Sequence, residues 1–490
     1  MKKNLKKILS AMLVTVLLVC MGTTVALADT TAPTGDNHTY TAYQIFSGTQ
    51  AEGSAELGSV EWGNGINWDG ANGFLAALKA SSDFGTTNPF ESCTDAASVA
   101  VAMKEWSDGS ANAKAFAKLA RKYVTNNGTE VEDGDTLDAG YYLVIDTTTT
   151  VGEGDAYNLA LLQLTQKGEF KIAAKNSVPE VLKQVKDGDA YAKANNAAIG
   201  DTVSFKITTA VPSTATQYDK YDFIIHDTLS AGLTLTDGTV KVYINGSTTA
   251  ASDADYTFAL NGQSFTITLK KALEKAGQAV VVEYDAVLNS GAAIGTTGNT
   301  NTATVEYSNN PMEEESTGTT PPSYSITYTT QLNVFKVDGT NNNAPLKGAK
   351  FTLKKGTEPI AENVEAVLVD GKYVANFKGL EEGTYTLVES VIPAGYNPIE
   401  DITFTIVCEE PEVVDDVTKT CTWTIAEDGS DVKYVAEDNA FEVTVKNQKG
   451  NTLPETGGIG TKIFYVIGAI LVAGAAILLI TRKRMSKADR

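Results

Sequence analysis

The sequence predicts a mainly β protein built from tandem immunoglobulin-like β-sandwich domains, with a first domain of mixed α+β structure, an N-terminal signal peptide and a C-terminal membrane helix. Most of the chain consists of short apolar runs that alternate with polar residues and end at Gly, Asn, Asp or Thr, as half-buried strands do. The length of 490 residues exceeds one domain, and 42% hydrophobic residues suffice for several packed cores.

The net charge narrows the possible partners. The chain carries 39 basic and 60 acidic residues, a formal charge of −21. An acidic surface repels phosphate backbones, so we expect no nucleic-acid partner.

The first 28 residues read as an export signal. Four lysines within the first seven residues precede an apolar run from Ile8 to Val19, and Ala26 to Ala28 supplies the small residues of a cleavage site. A lipoprotein anchor at Cys20 is the alternative. It is disfavoured because Leu18 and Val19 lack the small residue that such a site needs.

The C-terminal residues 451–490 read as an anchor. Residues 463–480 are apolar and would span about 27 Å as a helix, and three basic residues follow them at 482–484. The segment LPETGG, 453–458, stands immediately before this membrane helix.

Clusters of Pro, Gly, Ser and Thr mark the domain boundaries, near KNSVPEV (175–181) and PMEEESTGTTPPS (311–323). Apolar residues at helical spacing between 73 and 124 make the first domain mixed. We predict domains at 29–177, 178–325 and 326–450.

The strand QLNVFKVDG (331–339) raises a chemical question, because its alternation points Lys336 inward. The domain's last strand, FEVTVKN, points Asn447 inward, and the strand containing Glu389 places that acid on a face shared with apolar residues. Three buried polar groups on separate strands predict one site. The alternatives for Lys336 are an edge strand or a snorkelling stem.

Burial favours a neutral amine and a neutral acid. A neutral Lys336 can attack the Asn447 carboxamide while protonated Glu389 donates to the amide oxygen and moves protons as ammonia leaves. The product would be an intramolecular isopeptide bond.

The middle domain repeats this pattern. Alternation places Lys183, Asp227 and Asn301 each on the apolar face of its own strand. Asn309 shares the parity of Asn301 and is a rival, whereas Lys186, the rival of Lys183, has the opposite parity. An ordinary strand end also explains this pattern.

Segments of all three predicted domains resemble domains of a known protein family. NVFKVD, APLKGAKFTL, YTLVESVIPAGY and VTVKNQK resemble the collagen-adhesin B-type domain of sortase-assembled pilins, which implies that Lys336 and Asn447 form the bond and Glu389 catalyses it. The middle domain resembles the pilin D2 domain, which implies that Asp227 is its acid. YTAYQIFSG (40–48) and AGYYLVIDT (139–147) resemble the N-terminal domain of backbone pilins.

LPETG, an apolar span and a basic tail, in this order, resemble the cell-wall sorting signal of Gram-positive surface proteins. The resemblance implies cleavage by sortase between Thr456 and Gly457 and transfer of the threonyl group to an amine. In the pilin family that amine ends the first domain, which implies Lys175, with Lys171 as second candidate. The cleavage motif consists of Leu453, Pro454, Glu455, Thr456 and Gly457.

Other chemistry is scarce. The two histidines, His38 and His226, have no metal-ligand spacing around them, and we expect neither a metal nor a cofactor. Cys408 and Cys421 either form a disulfide or remain buried thiols, and Cys93 would stay unpaired.

The sequence therefore favours a structural, non-enzymatic pilus shaft subunit at the cell surface, whose partners are sortase, identical subunits and peptidoglycan. The alternative is a wall-anchored monomeric adhesin that binds a host ligand. A secreted hydrolase would need an acid pair or a catalytic triad, and the sequence suggests none.

Overall fold

In the computed structural model of the protein, the described residues are 38–50, 57–107, 110–132, 134–157, 159–164, 168–169, 178–410, 420–426, 431–450 and 459–485. They form two compact units. The first contains the described residues up to 293 together with 297–328, 410 and 420, and thus the first and middle predicted domains. The second contains 294–296, 329–409 and the described residues from 421 onward.

The first domain combines a sheet with helices, which confirms the predicted mixed class. Its sheet has the order β2-β1-β5-β6, and β3 also pairs with β1, while β4 and β7 form a separate pair. The strands are β1 (Tyr40–Gln50), β2 (Leu57–Trp62), β3 (Thr129–Val131), β4 (Thr136–Leu137), β5 (Gly140–Asp146), β6 (Leu159–Leu164) and β7 (Gly168–Glu169); the helices are α1 (Phe74–Ala80), α2 (Ala96–Met103) and α3 (Ala111–Arg121).

Local sequence explains where the helices begin. The Ser110 side chain accepts a hydrogen bond from the Ala113 N–H at the start of α3, and Asp95 with Ser98 forms a capping box at the start of α2. In α3 the buried residues Phe116 and Ala120 recur at helical spacing, so one face of the helix joins the apolar core.

The middle domain is a two-sheet sandwich. One sheet has the order β13-β17-β11-β8-β9 with β14 beside β17, and the other contains β15-β16-β12-β18 with β19 beside β18. Its strands are β8 (Val181–Asp187), β9 (Ala190–Ala192), β10 (Ala194–Asn196), β11 (Thr202–Ala210), β12 (Phe223–Leu229), β13 (Leu233–Leu235), β14 (Lys241–Ile244), β15 (Tyr256–Asn261), β16 (Ser264–Leu269), β17 (Ala279–Leu288), β18 (Gly295–Ser308) and β19 (Thr317–Thr319). Strict alternation in β11 and β17 buries one face of each strand between the sheets.

The third domain is also a sandwich. One sheet contains β24-β25-β20-β30-β29, and the other has the order β23-β22-β26-β27-β28. The strands are β20 (Ser323–Asp338), β21 (Ala344–Pro345), β22 (Lys350–Lys355), β23 (Glu358–Glu365), β24 (Val367–Val369), β25 (Lys372–Leu380), β26 (Gly383–Val391), β27 (Ile402–Glu409), β28 (Thr422–Ile425), β29 (Lys433–Val435) and β30 (Ala440–Asn447). Asp370 and Gly371, both at positive φ, form the tight turn between β24 and β25.

A loop of the first domain, residues 151–157, docks onto the middle domain. Ala156 is buried in the middle-domain core, and the Tyr157 N–H donates to the Asn309 carbonyl at 2.8 Å. The ring of His38 holds the loop through Asp155 at 2.6 Å and also contacts Asp146 at 2.5 Å. Burial lowers the pKa of His38, but the two carboxylates outweigh it and raise that pKa overall.

The predicted membrane helix is present as α4 (Ile459–Met485). Its segment Ile463–Ile480 has a mean hydropathy of 2.8 over 18 residues, so it is long and apolar enough to cross a bilayer.

Candidate crosslink sites

The third domain brings Lys336 and Asn447 onto neighbouring strands. Strands β20 and β30 run parallel, with Lys336 opposite Val445 and Asp338 opposite Asn447. Both strands alternate between buried and more exposed residues, and Lys336 and Asn447 fall on the buried face, where both are fully inaccessible. The inward orientation predicted for both residues is therefore what the structure shows.

Glu389 reaches these two residues from the opposite sheet. It lies in β26, opposite Phe351 of β22, and its side chain is almost completely buried. Its Oε2 accepts a hydrogen bond from Asn447 Nδ2 at 2.9 Å, and its Oε1 lies 3.9 Å from Lys336 Nζ. The predicted three side chains thus meet in one core.

Burial changes the chemistry of this site. It lowers the pKa of Lys336 to about 8, although the carboxylates of Glu389 and Asp338 act in the opposite direction. The buried oxygens Glu389 Oε1 and Asn447 Oδ1 accept no hydrogen bond from any residue in the described part of the chain. Buried polar atoms normally have hydrogen-bond partners, so leaving these two oxygens without donors lowers the stability of the fold.

One detail differs from the predicted chemistry. We expected the acid to donate to the amide oxygen of Asn447, but Glu389 contacts the amide nitrogen. The Asn397 carbonyl accepts from the same Nδ2 at 2.8 Å, so two acceptors orient the amide with its NH₂ group toward the acid. In this arrangement Glu389 lies within hydrogen-bond distance of the amide nitrogen of Asn447 and not of its amide oxygen.

The middle domain assembles its predicted side chains differently. Asp227 and Asn301 lie on the adjacent antiparallel strands β12 and β18, where Asp227 is opposite Ala303 and Leu229 is opposite Asn301. Lys183 comes from β8 of the other sheet and contacts Asp227 Oδ2 at 2.5 Å. Burial lowers the pKa of Lys183 to about 8 and raises that of Asp227.

A fourth residue, Tyr284 of β17, joins this site and was missed from the sequence. Its hydroxyl donates to Asp227 Oδ1 at 2.7 Å, accepts from Asn301 Nδ2 at 2.7 Å and contacts Lys183 Nζ. In the alternating pattern of β17, Tyr284 occupies an inward position among apolar residues. The available signal was one hydroxyl in an inward row that is otherwise Val, Ala and Leu, since a buried tyrosine hydroxyl usually has a partner.

The structure places the two rival candidates, Asn309 and Lys186, away from the middle-domain site. Asn309 lies eight residues beyond Asn301, about 26 Å along an extended strand. Its side chain accepts from Ser316, and its carbonyl holds the docked loop of the first domain. Lys186 is exposed.

Neither site includes a cysteine from the part of the chain that the structure describes. Cys93, Cys408 and Cys421 are buried thiols, and no disulfide joins them. The signal peptide 1–28, Lys171, Lys175 and the cleavage motif 453–457 lie outside the described residues.

Family models match both β-sandwich domains and the C-terminal segment that holds the apolar helix. Residues 199–311 match the Gram-positive pilin backbone subunit 2, Cna-B-like domain. Residues 330–420 match a prealbumin-like fold domain, and residues 445–487 match the LPXTG cell wall anchor motif. Together with the T6 relative, these matches support a sortase-assembled major pilin that is anchored at the Gram-positive cell wall as a subunit of the pilus shaft.

Three similar proteins or solved structures span most of the chain. The trypsin-resistant surface T6 protein of Streptococcus pyogenes serotype M6 is 23% identical over 429 residues, which cover 71% of this chain and 79% of that protein. The solved T6 backbone pilin of serotype M6 covers 87% of this chain and 100% of its own at 17% identity, with a TM-score of 0.50, which supports the fold. The major pilin SpaD from Corynebacterium diphtheriae covers 84% of this chain and 93% of its own, at 19% identity and a TM-score of 0.44.

Proposed function

We propose that this pilin is polymerised covalently by sortase and stiffened by two isopeptide bonds that it forms itself. One bond joins Lys336 to Asn447 and the other joins Lys183 to Asn301. The observation that carries this proposal is that the middle and third domains each bury a lysine, an asparagine and an acid together between their two sheets.

Each bond would form by the same balanced step. The neutral lysine Nζ attacks the asparagine Cγ, the Cγ–Nδ2 bond breaks, and ammonia leaves. The amine loses one proton and the departing nitrogen gains one, so the acid, Glu389 or Asp227, need only pass a proton between them. Holding the reactants in place supplies about 7–11 kcal/mol of the barrier, so no separate enzyme is required.

The positions of the bonds suit a fibre under tension. Lys183 and Asn301 lie on the first and last long strands of the middle sandwich, and Lys336 and Asn447 occupy the equivalent ends of the third. A pulling force would pass through the two crosslinks and bypass the chain between the bonded residues. The domains would then resist unfolding kinetically.

Polymerisation would use the two ends of the shaft subunit. Sortase would transfer the acyl group of Thr456 to the lysine of the next subunit, for which Lys175 is favoured over Lys171. The match to the LPXTG anchor motif at 445–487 supports the donor half of this reaction.

Intact mass tests the internal bonds. Each bond removes one ammonia, so reduced residues 29–452 should weigh about 34 Da less than the sequence mass. The matched variants Lys183→Arg and Lys336→Arg keep a cation but lack the nucleophilic amine, and each should restore about 17 Da. A measured mass equal to the sequence mass, in the protein without substitutions, would refute both crosslinks.

Expression in a sortase-bearing Gram-positive cell tests polymerisation. We expect a ladder of multimers that survives boiling in detergent, and its loss in Lys175→Ala but not in Lys171→Ala. The reverse result would assign the linkage to Lys171. Monomers alone in the cell wall, with the natural sequence, would favour the wall-anchored adhesin instead.

A further inference from the structure

The hydroxyl of Tyr284 occupies the centre of the middle-domain site. It donates to Asp227 Oδ1 and accepts from Asn301 Nδ2, both at 2.7 Å. Asp227 and Asn301 form no hydrogen bond with each other, and the hydroxyl joins the acid to the amide nitrogen that must leave. Asp227 Oδ2 faces the attacking amine of Lys183 at 2.5 Å.

We propose that Tyr284 is a catalytic residue of the middle domain, which relays a proton from Asp227 to the departing nitrogen of Asn301. This inference rests on the proposed isopeptide bond. As Lys183 Nζ bonds to Asn301 Cγ, Lys183 gives one proton to Asp227 Oδ2. When Asp227 carries a proton on Oδ1, that oxygen donates to the Tyr284 oxygen, the reverse of the resting hydrogen bond. Tyr284 passes its own proton to Nδ2, which gains a lone pair able to accept it once Cγ is tetrahedral. The Cγ–Nδ2 bond breaks, ammonia leaves, and Asp227 and Tyr284 return to their starting protonation.

The third domain shows why a relay is needed only in the middle one. There Glu389 Oε2 reaches the amide nitrogen of Asn447 directly at 2.9 Å. In the middle domain the acid lies on the strand beside Asn301 rather than across the core, and it contacts the hydroxyl instead. Tyr284 bridges that gap from the opposite sheet.

Packing alone does not require the hydroxyl. The Tyr284 ring stacks on Phe205 at 5.4 Å between centroids and meets Phe265 edge-on at 5.0 Å. A phenylalanine would make the same two ring contacts, whereas a hydroxyl placed in this core must be compensated by hydrogen bonds. Its compensation comes from the three groups that react.

The test follows bond formation by mass while the chain refolds. Residues 29–452 are purified in urea from inclusion bodies, diluted to refold, and quenched in acid at intervals. For Tyr284→Phe we expect the middle bond to form at least tenfold more slowly, while the third-domain bond in the same molecule keeps its rate. Tyr307→Phe is the matched control, because Tyr307 is another buried tyrosine of this core whose hydroxyl donates instead to the Asp155 carbonyl.

A middle bond that forms at the natural rate in Tyr284→Phe would overturn the relay and leave the crosslink itself standing. Absence of the middle bond in the natural sequence would instead remove the crosslink, and the relay with it. Loss of the bond counts for the relay only if the variant folds, so thermal unfolding is compared between Asn301→Ala and Asn301→Ala/Tyr284→Phe. Similar midpoints would show that the fold tolerates the change.

A second measurement needs no variant. Refolding the natural sequence in heavy water should slow the middle bond more than the third-domain bond, because the relay moves an additional proton through the tyrosine oxygen. Equal slowing of the two bonds would contradict the relay, even if Tyr284→Phe proved too unstable to fold.

Discussion

The middle and third domains hold the same kinds of side chain in two different arrangements. In the third domain the lysine and asparagine share one sheet, on parallel strands, and Glu389 reaches them from the other sheet. In the middle domain the acid and the asparagine share one sheet, and Lys183 reaches across. The proposed chemistry therefore depends on three groups meeting in a dry core, and no particular sheet has to supply any one of them.

The largest effect expected from this comparison is the loss of one bond at a time. Glu389→Ala should abolish the third-domain bond and leave the middle one, and Asp227→Ala should do the reverse, because each acid serves only its own core. Intact mass would then show a deficit of about 17 Da in each variant and none in the double variant.

Asp338 provides the matched control for Glu389. It is also buried and close to Lys336, but hydrogen bonds from Thr340 and Tyr396 lower its pKa to about 2, so it holds no proton to donate. Asp338→Asn should leave the bond intact. A complete third-domain bond in Glu389→Ala would contradict the role assigned to Glu389.

The next effect concerns stability, and here the two domains should behave alike. The bonds would enclose about 117 and about 110 residues, nearly equal loops. By analogy with a disulfide, closing a loop of about 100 residues contributes about 4–5 kcal/mol to the free energy of unfolding. Asn301→Ala and Asn447→Ala should each lower the unfolding midpoint of their own domain in calorimetry, by similar amounts.

Cavity formation also lowers stability, so each alanine variant is compared with the lysine-to-arginine variant of the same domain. The arginine variants lose the crosslink without truncating the asparagine. If only the alanine variants were destabilised, the effect would come from the cavity and the equal contribution of the crosslinks would be refuted.

Alternation along single strands predicted much of both sites. A period of two decides which face a residue occupies, so Lys336, Asn447 and Asp227 could be placed inward from the sequence. Parity does not say which sheet a strand joins or how far along a strand two residues lie. For that reason it could not choose between Asn301 and Asn309, whereas the register of β12 against β18 places Asn301 beside Asp227.

Tyr284 shows a second limit of sequence reasoning. An inward tyrosine satisfies the apolar pattern of β17, and its hydroxyl gains meaning only when the opposite sheet supplies Asp227 and Asn301. The orientation of the Asn447 amide likewise depends on the Asn397 carbonyl, 50 residues away in the chain. Long-range contacts of this kind have no local signature.

The smallest expected effect is a difference in pH dependence. A neutral amine with a protonated acid holds as many protons as a charged amine with an ionised acid. The fraction of molecules in the neutral, reactive form therefore does not change with pH while the lysine and the acid share one titratable proton. Burial places the pKa of Lys183 and of Lys336 at about 8. Above about pH 8 that proton is lost, and both bonds should form about tenfold more slowly per pH unit. Below the plateau both groups are protonated and the amine cannot attack.

The rate of bond formation at low pH should also depend on the acid of the middle domain. Burial raises the pKa of Asp227, so formation of the middle bond should begin to slow at a higher pH than an ordinary aspartate, with a pKa of about 3.9, would give. Mass during refolding from about pH 5 to about pH 10 measures both limbs. Circular dichroism of Asn301→Ala/Asn447→Ala, which forms neither bond, controls for the folding rate. A rate that kept rising above about pH 8 in one domain would mean that the amine alone limits that bond and that its acid is no proton donor.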